Sequence, residues 1–184
     1  VEVPKSKKAQ GVRLLFQQQG AHRGLIFCNT KRMVEVLTRE LNAMGLAVEG
    51  LHGDMAQGAR TRVMAAFKEG KVDLLVATDV AARGIDASGV DIIINYDIPQ
   101  DMEYYVHRIG RTGRAGNTGV AFTLIAGSGE FFSLCDIQDT TGIQLTPYYL
   151  TGLDETPEDK FYARNTNRSE NGARRSSLPR PAGQ

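Results

Sequence analysis

The regular alternation of short apolar runs with helically periodic segments constrains the fold of this chain more than any other feature. The apolar run at residues 25–28 is followed by Val34, Leu37 and Leu41 at helical spacing, with Gly45 as a stop signal. Similar pairs of elements recur along the chain, and such an order builds a parallel sheet with helices on both of its faces. We therefore predict an α/β fold.

The predicted elements follow that pattern along most of the chain. The expected strands cover residues 24–28, 46–50, 72–77, 91–96 and 119–125. The expected helices cover residues 9–19, 31–44, 60–68, 101–109 and 130–138, the first packed on the outside. These elements make one domain over residues 1–150, followed by a flexible extension over 151–184. Residues 164–184 carry five arginines against one glutamate and form either a solvated tail or a sequence-blind RNA tether.

Charge and composition narrow the class of protein. The chain has 184 residues and a net charge of +1, so any RNA would contact a few placed cations rather than a basic field. The apolar runs are too short to cross a bilayer. Two cysteines without metal-ligand spacing indicate a reducing, cytoplasmic setting and no metal site. The chain opens on Val1 rather than methionine, and we expect it to be part of a longer protein.

Ligands of such folds bind at loops that follow the strands, and four of these loops carry unusual residues. In the first, Thr30 can cap the next helix, whose free amides also suit a phosphate. In the second, Gly53 permits close approach or positive φ, and Gln57 and Arg60 share a helix face. Taken alone, Arg60 fits a solvated helix charge and His52 fits a hydrogen-bonded structural histidine.

The third loop, residues 77–86, packs a hydroxyl, two carboxylates, an arginine and a glycine into one connection. A hydroxyl and a guanidinium can hold phosphate oxygens, and a carboxylate can accept hydrogen bonds from sugar hydroxyls. An ordinary polar turn is the alternative, although a structural loop does not need that mixture.

The fourth loop repeats arginine every three residues, at Arg108, Arg111 and Arg114. No acidic residue lies nearby in the sequence, so we expect the partner charge to arrive with a ligand, and a polyphosphate fits best. A solvated basic turn is the alternative. The chain has neither a phosphate-binding loop with its lysine nor an Asp-Glu pair after a strand for magnesium. The arginines therefore match arginine fingers that act on a nucleotide held by another domain.

Together the four loops resemble the C-terminal RecA-like domain of DEAD-box RNA helicases. The matching motifs are Leu-Ile-Phe-Cys-Asn-Thr (25–30), His-Gly-Asp with Gln-x-x-Arg (52–60), Ala-Thr-Asp-Val-Ala-Ala-Arg-Gly-Ile-Asp (77–86) and His-Arg-Ile-Gly-Arg-Thr-Gly-Arg (107–114). The resemblance implies a RecA-like parallel sheet flanked by helices on both faces, with a disordered or irregular C-terminal tail. It also implies an ATP-dependent RNA helicase in the full-length protein.

For the cofactor, ATP with Mg²⁺, the resemblance assigns roles to the third and fourth loops. It implies that Asp86 holds the ribose, that Arg111 and Arg114 reach the γ-phosphate, and that His107 and Arg108 help to join two domains. An N-terminal RecA-like domain, missing from this chain, would hold most of the nucleotide and the metal. The chain alone should then be inactive as an ATPase.

The partners that the resemblance implies are RNA, the N-terminal domain and possible protein adaptors, without a membrane. The residues that it assigns to the RNA backbone are Thr30, Gly53, Gln57, Arg60, Thr78 and Arg83, with Gln57 as a support for Arg60. A freestanding RNA-binding or protein-docking module is the alternative, but the four loops lack the aromatic residues that stack on bases. A DNA-directed relative is disfavoured by His107.

Overall fold

A parallel sheet of five strands lies at the centre of the computed structural model, which describes residues 1–85, 89–112 and 119–153. The strands are β1 Gly24–Phe27, β2 Val48–Leu51, β3 Leu74–Ala77, β4 Ile92–Asn95 and β5 Val120–Thr123. Their order in the sheet is β2–β3–β1–β4–β5, and every pairing is parallel. The predicted α/β fold is confirmed.

Helices follow the strands as predicted, although several of their ends differ and one short helix was not predicted. The helices are α1 Lys8–Gln18, α2 Lys31–Ala43, α3 Gln57–Lys68, α4 Asp79–Ala82, α5 Met102–Ile109 and α6 Ser128–Thr141, after a 3-10 turn at Lys5–Lys7. The start of α3 lies at Gln57, earlier than the predicted start at Arg60. The helix α4 lies in the predicted third loop, because a single turn of helix is too short to show a period in the sequence.

The two faces of the sheet carry separate apolar clusters. Because side chains alternate along a strand, Leu25 and Phe27 of β1 pack with Phe67 of α3 on one face. Ile26 packs with Leu37 of α2 on the other face, which α1 also covers. Helices therefore cover both faces, as predicted. None of the helices within the described ranges is long and apolar enough to span a membrane.

A buried lysine in α1 forms hydrogen bonds and an ion pair with other parts of the domain. The side chain of Lys8 is 5% exposed, and its Nζ donates to the carbonyl oxygen of Tyr96 and to Oε1 of Glu130, at 2.9 Å each. Tyr96 follows β4 and Glu130 lies in the first turn of α6. One ammonium group thus connects the opening helix, the sheet and the last helix.

The loops that follow the strands gather at one edge of the sheet because all strands run in the same direction. Two predicted site residues, Asp86 and Arg114, lie outside the described residues, as do residues 154–184 of the predicted extension. The boundary at residue 150 stays a prediction. Leu150 itself is buried against the face that α1 and α2 cover.

Candidate functional site at the carboxyl edge of the sheet

A buried ion pair between Arg108 and Asp79 lies at the centre of this edge. The Nε of Arg108 donates to Oδ1 of Asp79 and its Nη2 donates to Oδ2, both at 2.6 Å. The arginine side chain is 1% exposed and the aspartate side chain 16%. This two-point geometry is the strong form of an arginine–carboxylate contact. It joins the end of α5 to the start of α4.

The same guanidinium also contacts the loops after β1 and β4. Its Nη2 donates to Oδ1 of Asn29 at 2.9 Å, and its Nη1 donates to the carbonyl oxygen of Asp97 at 2.6 Å. Its carbon lies 5.1 Å from the centre of the Phe27 ring. Asn29 is in turn fixed by Asp97, whose Oδ2 accepts from the Asn29 backbone N–H at 2.9 Å. Arg108 therefore organises the loops after β1, β3 and β4.

The expectation that the partner charge of Arg108 arrives with a ligand is wrong. Its carboxylate partner belongs to this chain but lies 29 residues away, at the end of another strand. A partner at that separation is brought close only by the fold and cannot be recognised from the residues next to Arg108 in the sequence. The predicted role of Arg108 in joining two domains stays a prediction, whereas a direct contact with a nucleotide would require these bonds to break.

Sequence reasoning also missed a polar network beneath Arg108. The Nδ2 of Asn95 donates to Oγ1 of Thr123 at 3.1 Å, and the hydroxyl of Tyr105 lies 2.9 Å from the same oxygen. Burial raises the pKa of Tyr105, although the hydrogen bond to Thr123 opposes that shift. A single polar residue at the end of each of two apolar strands, Asn95 in β4 and Thr123 in β5, was the signal in the sequence. The network fixes α5 on β4 and β5.

Arg111 lines a cavity of about 300 Å³, and its surroundings differ from those of the buried Arg108. The cavity is lined by Phe27, Asp79, Ala82, Arg83, Tyr104, His107, Arg108 and Arg111. Among the described residues, no side chain forms a hydrogen bond or ion pair with the guanidinium of Arg111. His107 is exposed at the same cavity. The structure thus brings together four of the predicted site residues, namely Arg83, His107, Arg108 and Arg111.

Tyr104 is a cavity residue that the sequence analysis missed. Its hydroxyl accepts a hydrogen bond from Nη2 of Arg83 at 3.1 Å, and the arginine carbon lies 5.9 Å from the ring centre. A tyrosine in an amphipathic helix gives no sign of this contact in the sequence. The contact holds the exposed Arg83 side chain beside α5.

Arg60 connects α3 to the segment around α4. Its Nη2 donates to the carbonyl oxygen of Ala81 at 2.7 Å and lies 3.4 Å from that of Arg83. The side chain is half-buried, so the interpretation as a solvated helix charge is wrong. Gln57 begins α3 and accepts at its carbonyl from Thr61. No hydrogen bond between Gln57 and Arg60 is found among the described residues, and the supporting role of Gln57 stays a prediction.

The predicted cap at Thr30 is confirmed, since its Oγ1 accepts from the backbone N–H of Met33 at 3.1 Å. Next to it, Lys31 forms an ion pair with Asp54, which joins the loops after β1 and β2. The hydrogen bond from Lys31 lowers the pKa of Asp54 and raises that of Lys31. Gly53 is exposed, and a Cβ there would meet no atom within 4 Å.

Thr78 caps the short helix α4, with Oγ1 accepting from the N–H of Ala81 at 3.4 Å. His52, expected to be a hydrogen-bonded structural residue, places Nε2 3.5 Å from Oε1 of Glu35. Among the residues that the structure describes, no group of three or more histidine, cysteine, aspartate or glutamate side chains could hold a metal ion.

Comparison with known proteins places this site in a family. Residues 6–116 match the model of the helicase conserved C-terminal domain. The chain is 48% identical over 158 residues to the DEAD-box ATP-dependent RNA helicase CshA of Geobacillus kaustophilus, covering 86% of this chain and 34% of that protein. It therefore spans about a third of the length of this curated relative.

Two solved structures are similar in fold as well as in sequence. Escherichia coli DEAD-box protein SrmB, bound to regulator of ribonuclease activity A, has a TM-score of 0.72 and 31% identity, covering 86% of this chain and 92% of that chain. Saccharomyces cerevisiae Dbp5, bound to RNA and ADP BeF3, has a TM-score of 0.72 and 36% identity, covering 78% of this chain and 38% of that chain. With its parallel sheet and its family-model match, this chain belongs to the helicase conserved C-terminal domain family and is of the DEAD-box type.

Proposed function

We propose that the chain is the C-terminal lobe of an ATP-dependent DEAD-box RNA helicase and supplies half of its active site. The position of Arg111 carries this proposal. Its guanidinium faces a cavity of about 300 Å³ without an acidic partner among the described residues, and the sequence contains no phosphate-binding loop with its lysine. A cation in such a place suits the negative charge that develops on a phosphoryl group during its transfer.

On the ATP side, Arg111 and Arg114 would stabilise the γ-phosphate during its transfer to water, and Asp86 would accept hydrogen bonds from the ribose. His107, exposed at the cavity, and Arg108 would join the two lobes. Arg108 would do so indirectly, by holding the loops around it in place. Because the described residues offer no carboxylate cluster, Mg²⁺ would be held by the N-terminal lobe together with most of the nucleotide.

On the RNA side, the contacts would be made to the sugar-phosphate backbone. Thr30 and Gly53 lie on loops that the ion pair of Lys31 with Asp54 connects. The hydrogen bond from Arg60 to Ala81 brings α3 close to the segment of Thr78 and Arg83, and Gln57 begins the same helix. Four of the six residues thus lie at loops or at the ends of the short helix α4, and Gln57 and Arg60 lie in α3. Contacts of this kind do not identify bases, so duplexes of many sequences could be unwound or remodelled.

Two further proposals concern the setting of the full-length protein. Since SrmB has been solved bound to a protein regulator, we include protein adaptors among the possible partners of this lobe. Both cysteines, Cys28 and Cys135, are free thiols. That state suits the reducing cytoplasm, where we place the protein.

ATP hydrolysis by the chain and by the two-lobe protein tests the proposal. We expect no measurable turnover from the chain alone, with or without RNA, because the nucleotide cradle is missing. Joined to its N-terminal lobe, the chain should support RNA-stimulated hydrolysis, measured as phosphate release. RNA-stimulated turnover by the purified chain alone would contradict the proposal.

Arg111→Ala in the two-lobe protein tests whether this arginine contributes to ATP hydrolysis or to the stability of the fold. Loss of an arginine finger lowers the rate by about three to five orders of magnitude. Because Arg111 forms no ion pair with a described residue, the melting temperature should hardly change. A large drop in melting temperature would mean that Arg111 is structural.

A further inference from the structure

One face of α5, together with the turn after it, lines the cavity of about 300 Å³ that Arg111 faces. Tyr104, His107 and Arg108 are spaced three and four residues apart, so they project from the same side of the helix. Arg111 follows at the next turn. Tyr104 is half-buried at this cavity, and the proposed function gives it no role.

The residues that line the cavity carry more positive than negative charge. Three of them are arginines, Arg83, Arg108 and Arg111, and one carries a carboxylate, Asp79. Both oxygens of that carboxylate accept from Arg108, at 2.6 Å each. Arg83 and Arg111 form no ion pair with any residue that the structure describes. Two such guanidinium groups at one cavity favour an anion, and their donors fit the oxygens of a phosphate group.

The hydroxyl and the ring of Tyr104 both contact Arg83. The hydroxyl accepts from Nη2 of Arg83 at 3.1 Å, and the guanidinium carbon lies 5.9 Å from the ring centre. A guanidinium has five N–H donors, so this hydrogen bond leaves most of them available for a ligand. Arg83 is exposed, and within the described part of the chain its guanidinium forms no other hydrogen bond. Tyr104 is therefore the side chain that restrains Arg83.

A restrained arginine binds an anion better than a mobile one. A long side chain loses rotamer freedom when it binds a ligand, and the loss is smaller if a contact already limits its conformations. The backbone of Arg83 is held as well, since Nη2 of Arg60 lies 3.4 Å from its carbonyl oxygen. With its backbone next to Arg60 and its guanidinium on Tyr104, Arg83 is kept at the cavity before a ligand binds.

We propose that Tyr104 is a positioning residue, which holds Arg83 at the cavity so that Arg83 donates to a phosphate group there. This inference rests on the proposed function. The backbone of RNA and the polyphosphate of ATP both carry such a group, and the proposed contact of Arg83 is with RNA. Tyr104 itself does not need to touch the phosphate, because it acts through Arg83.

Tyr104→Phe in the two-lobe protein tests the inference, because phenylalanine keeps the ring and removes only the oxygen that accepts from Arg83. ATP hydrolysis is measured as phosphate release, first with the concentration of single-stranded RNA varied and then with that of ATP varied. We expect one KM to rise about three- to tenfold, as for one lost hydrogen bond, while kcat changes little. A larger rise in the KM for RNA assigns the phosphate to RNA, and a larger rise in the KM for ATP assigns it to the nucleotide.

Tyr148→Phe is the matched control. It removes a hydroxyl that also accepts from a side chain, Nε2 of Gln19 at 2.9 Å, but that does not line the cavity. Its KM values should equal those of the wild type. If Tyr104→Phe also left both KM values unchanged, the inference would be overturned and the proposed function would stand. A wild-type two-lobe protein without RNA-stimulated turnover would contradict the proposed function, and the inference with it.

A double-mutant cycle separates positioning from a general structural role. Arg83→Ala should raise the same KM at least as much as Tyr104→Phe does. Adding Tyr104→Phe to Arg83→Ala should then have no further effect, because no guanidinium is left to position. If Tyr104→Phe raised the KM equally with and without Arg83, Tyr104 would act independently of Arg83 and the inference would be overturned. Unchanged KM values in Arg83→Ala would overturn it too.

Discussion

Among single residues, Arg108 and Arg111 belong to one arginine run but have opposite surroundings. Arg108 is 1% exposed and bonded to Asp79, Asn29 and Asp97. Arg111 faces a cavity and has no side-chain bond with any described residue. We therefore expect Arg108 to stabilise the fold and Arg111 to contact a ligand.

Arg108→Ala should destabilise the chain strongly. The change would leave the carboxylate of Asp79, 16% exposed, without its cation, and removal of one partner of a buried pair costs about 3–5 kcal/mol. Urea unfolding followed by circular dichroism measures the loss. Arg111→Ala is the control and should stay within about 0.5 kcal/mol of wild type. Equal stability of the two variants would contradict the structural role of Arg108.

The sequence predicted a residue's contact correctly only where both partners lie close together in the chain. Thr30 could be assigned as a cap because its partner lies three residues away. The contact of Tyr104 with Arg83 spans 21 residues and that of Arg108 with Asp79 spans 29. Such partners are set by the order of strands in the sheet, which no local spacing reveals.

At the scale of elements, the periodicity of apolar residues predicts the strands and the long helices. It does not predict the residues at which they begin and end. The apolar face of α2 was visible in the sequence because Val34, Leu37 and Leu41 all pack inward. The bounds of β2 were misplaced: the strand covers Val48–Leu51, and the carbonyl of Ala47 before it accepts from the backbone N–H groups of Asp73 and Leu74. Hydrogen bonding between distant segments decides such ends.

The attachment of α1 can be tested through Lys8. In Lys8→Met the carbonyl of Tyr96 and the carboxylate of Glu130 lose their shared donor. We expect a loss of about 1–3 kcal/mol in the free energy of unfolding. Chemical denaturation measures it, with Lys5→Met as the control because Lys5 is exposed. A loss no greater than that of the control would show that the apolar packing of α1 suffices.

The pair of Lys31 and Asp54 should respond to pH and salt. Because the pKa of Asp54 is lowered, the pair is intact above the ordinary aspartate range and is lost as pH falls through the lowered pKa. In Lys31→Met the pKa of Asp54 should rise toward its ordinary value. Carboxyl NMR titration at low and high salt measures both effects, since salt screens exposed pairs. An unchanged Asp54 pKa in the variant would show that Lys31 is not its cause.

At the scale of the whole molecule, a net charge of +1 limits what the chain can bind alone. We expect weak binding to single-stranded RNA, which fades as salt rises, because a few cations make the contacts. Fluorescence anisotropy at increasing salt measures this affinity, with the ATP-bound two-lobe protein as the comparison. Tight binding by the chain without nucleotide would favour a freestanding RNA-binding module instead.

Arg108 has a further consequence for the way the lobe works. Its guanidinium holds the loops after β1, β3 and β4 in one arrangement before any ligand arrives. The conformational entropy of ordering those loops is thus lost during folding and not during ligand binding. Closure of two lobes would then require only the movement of one rigid body toward another, with its loops already preorganised.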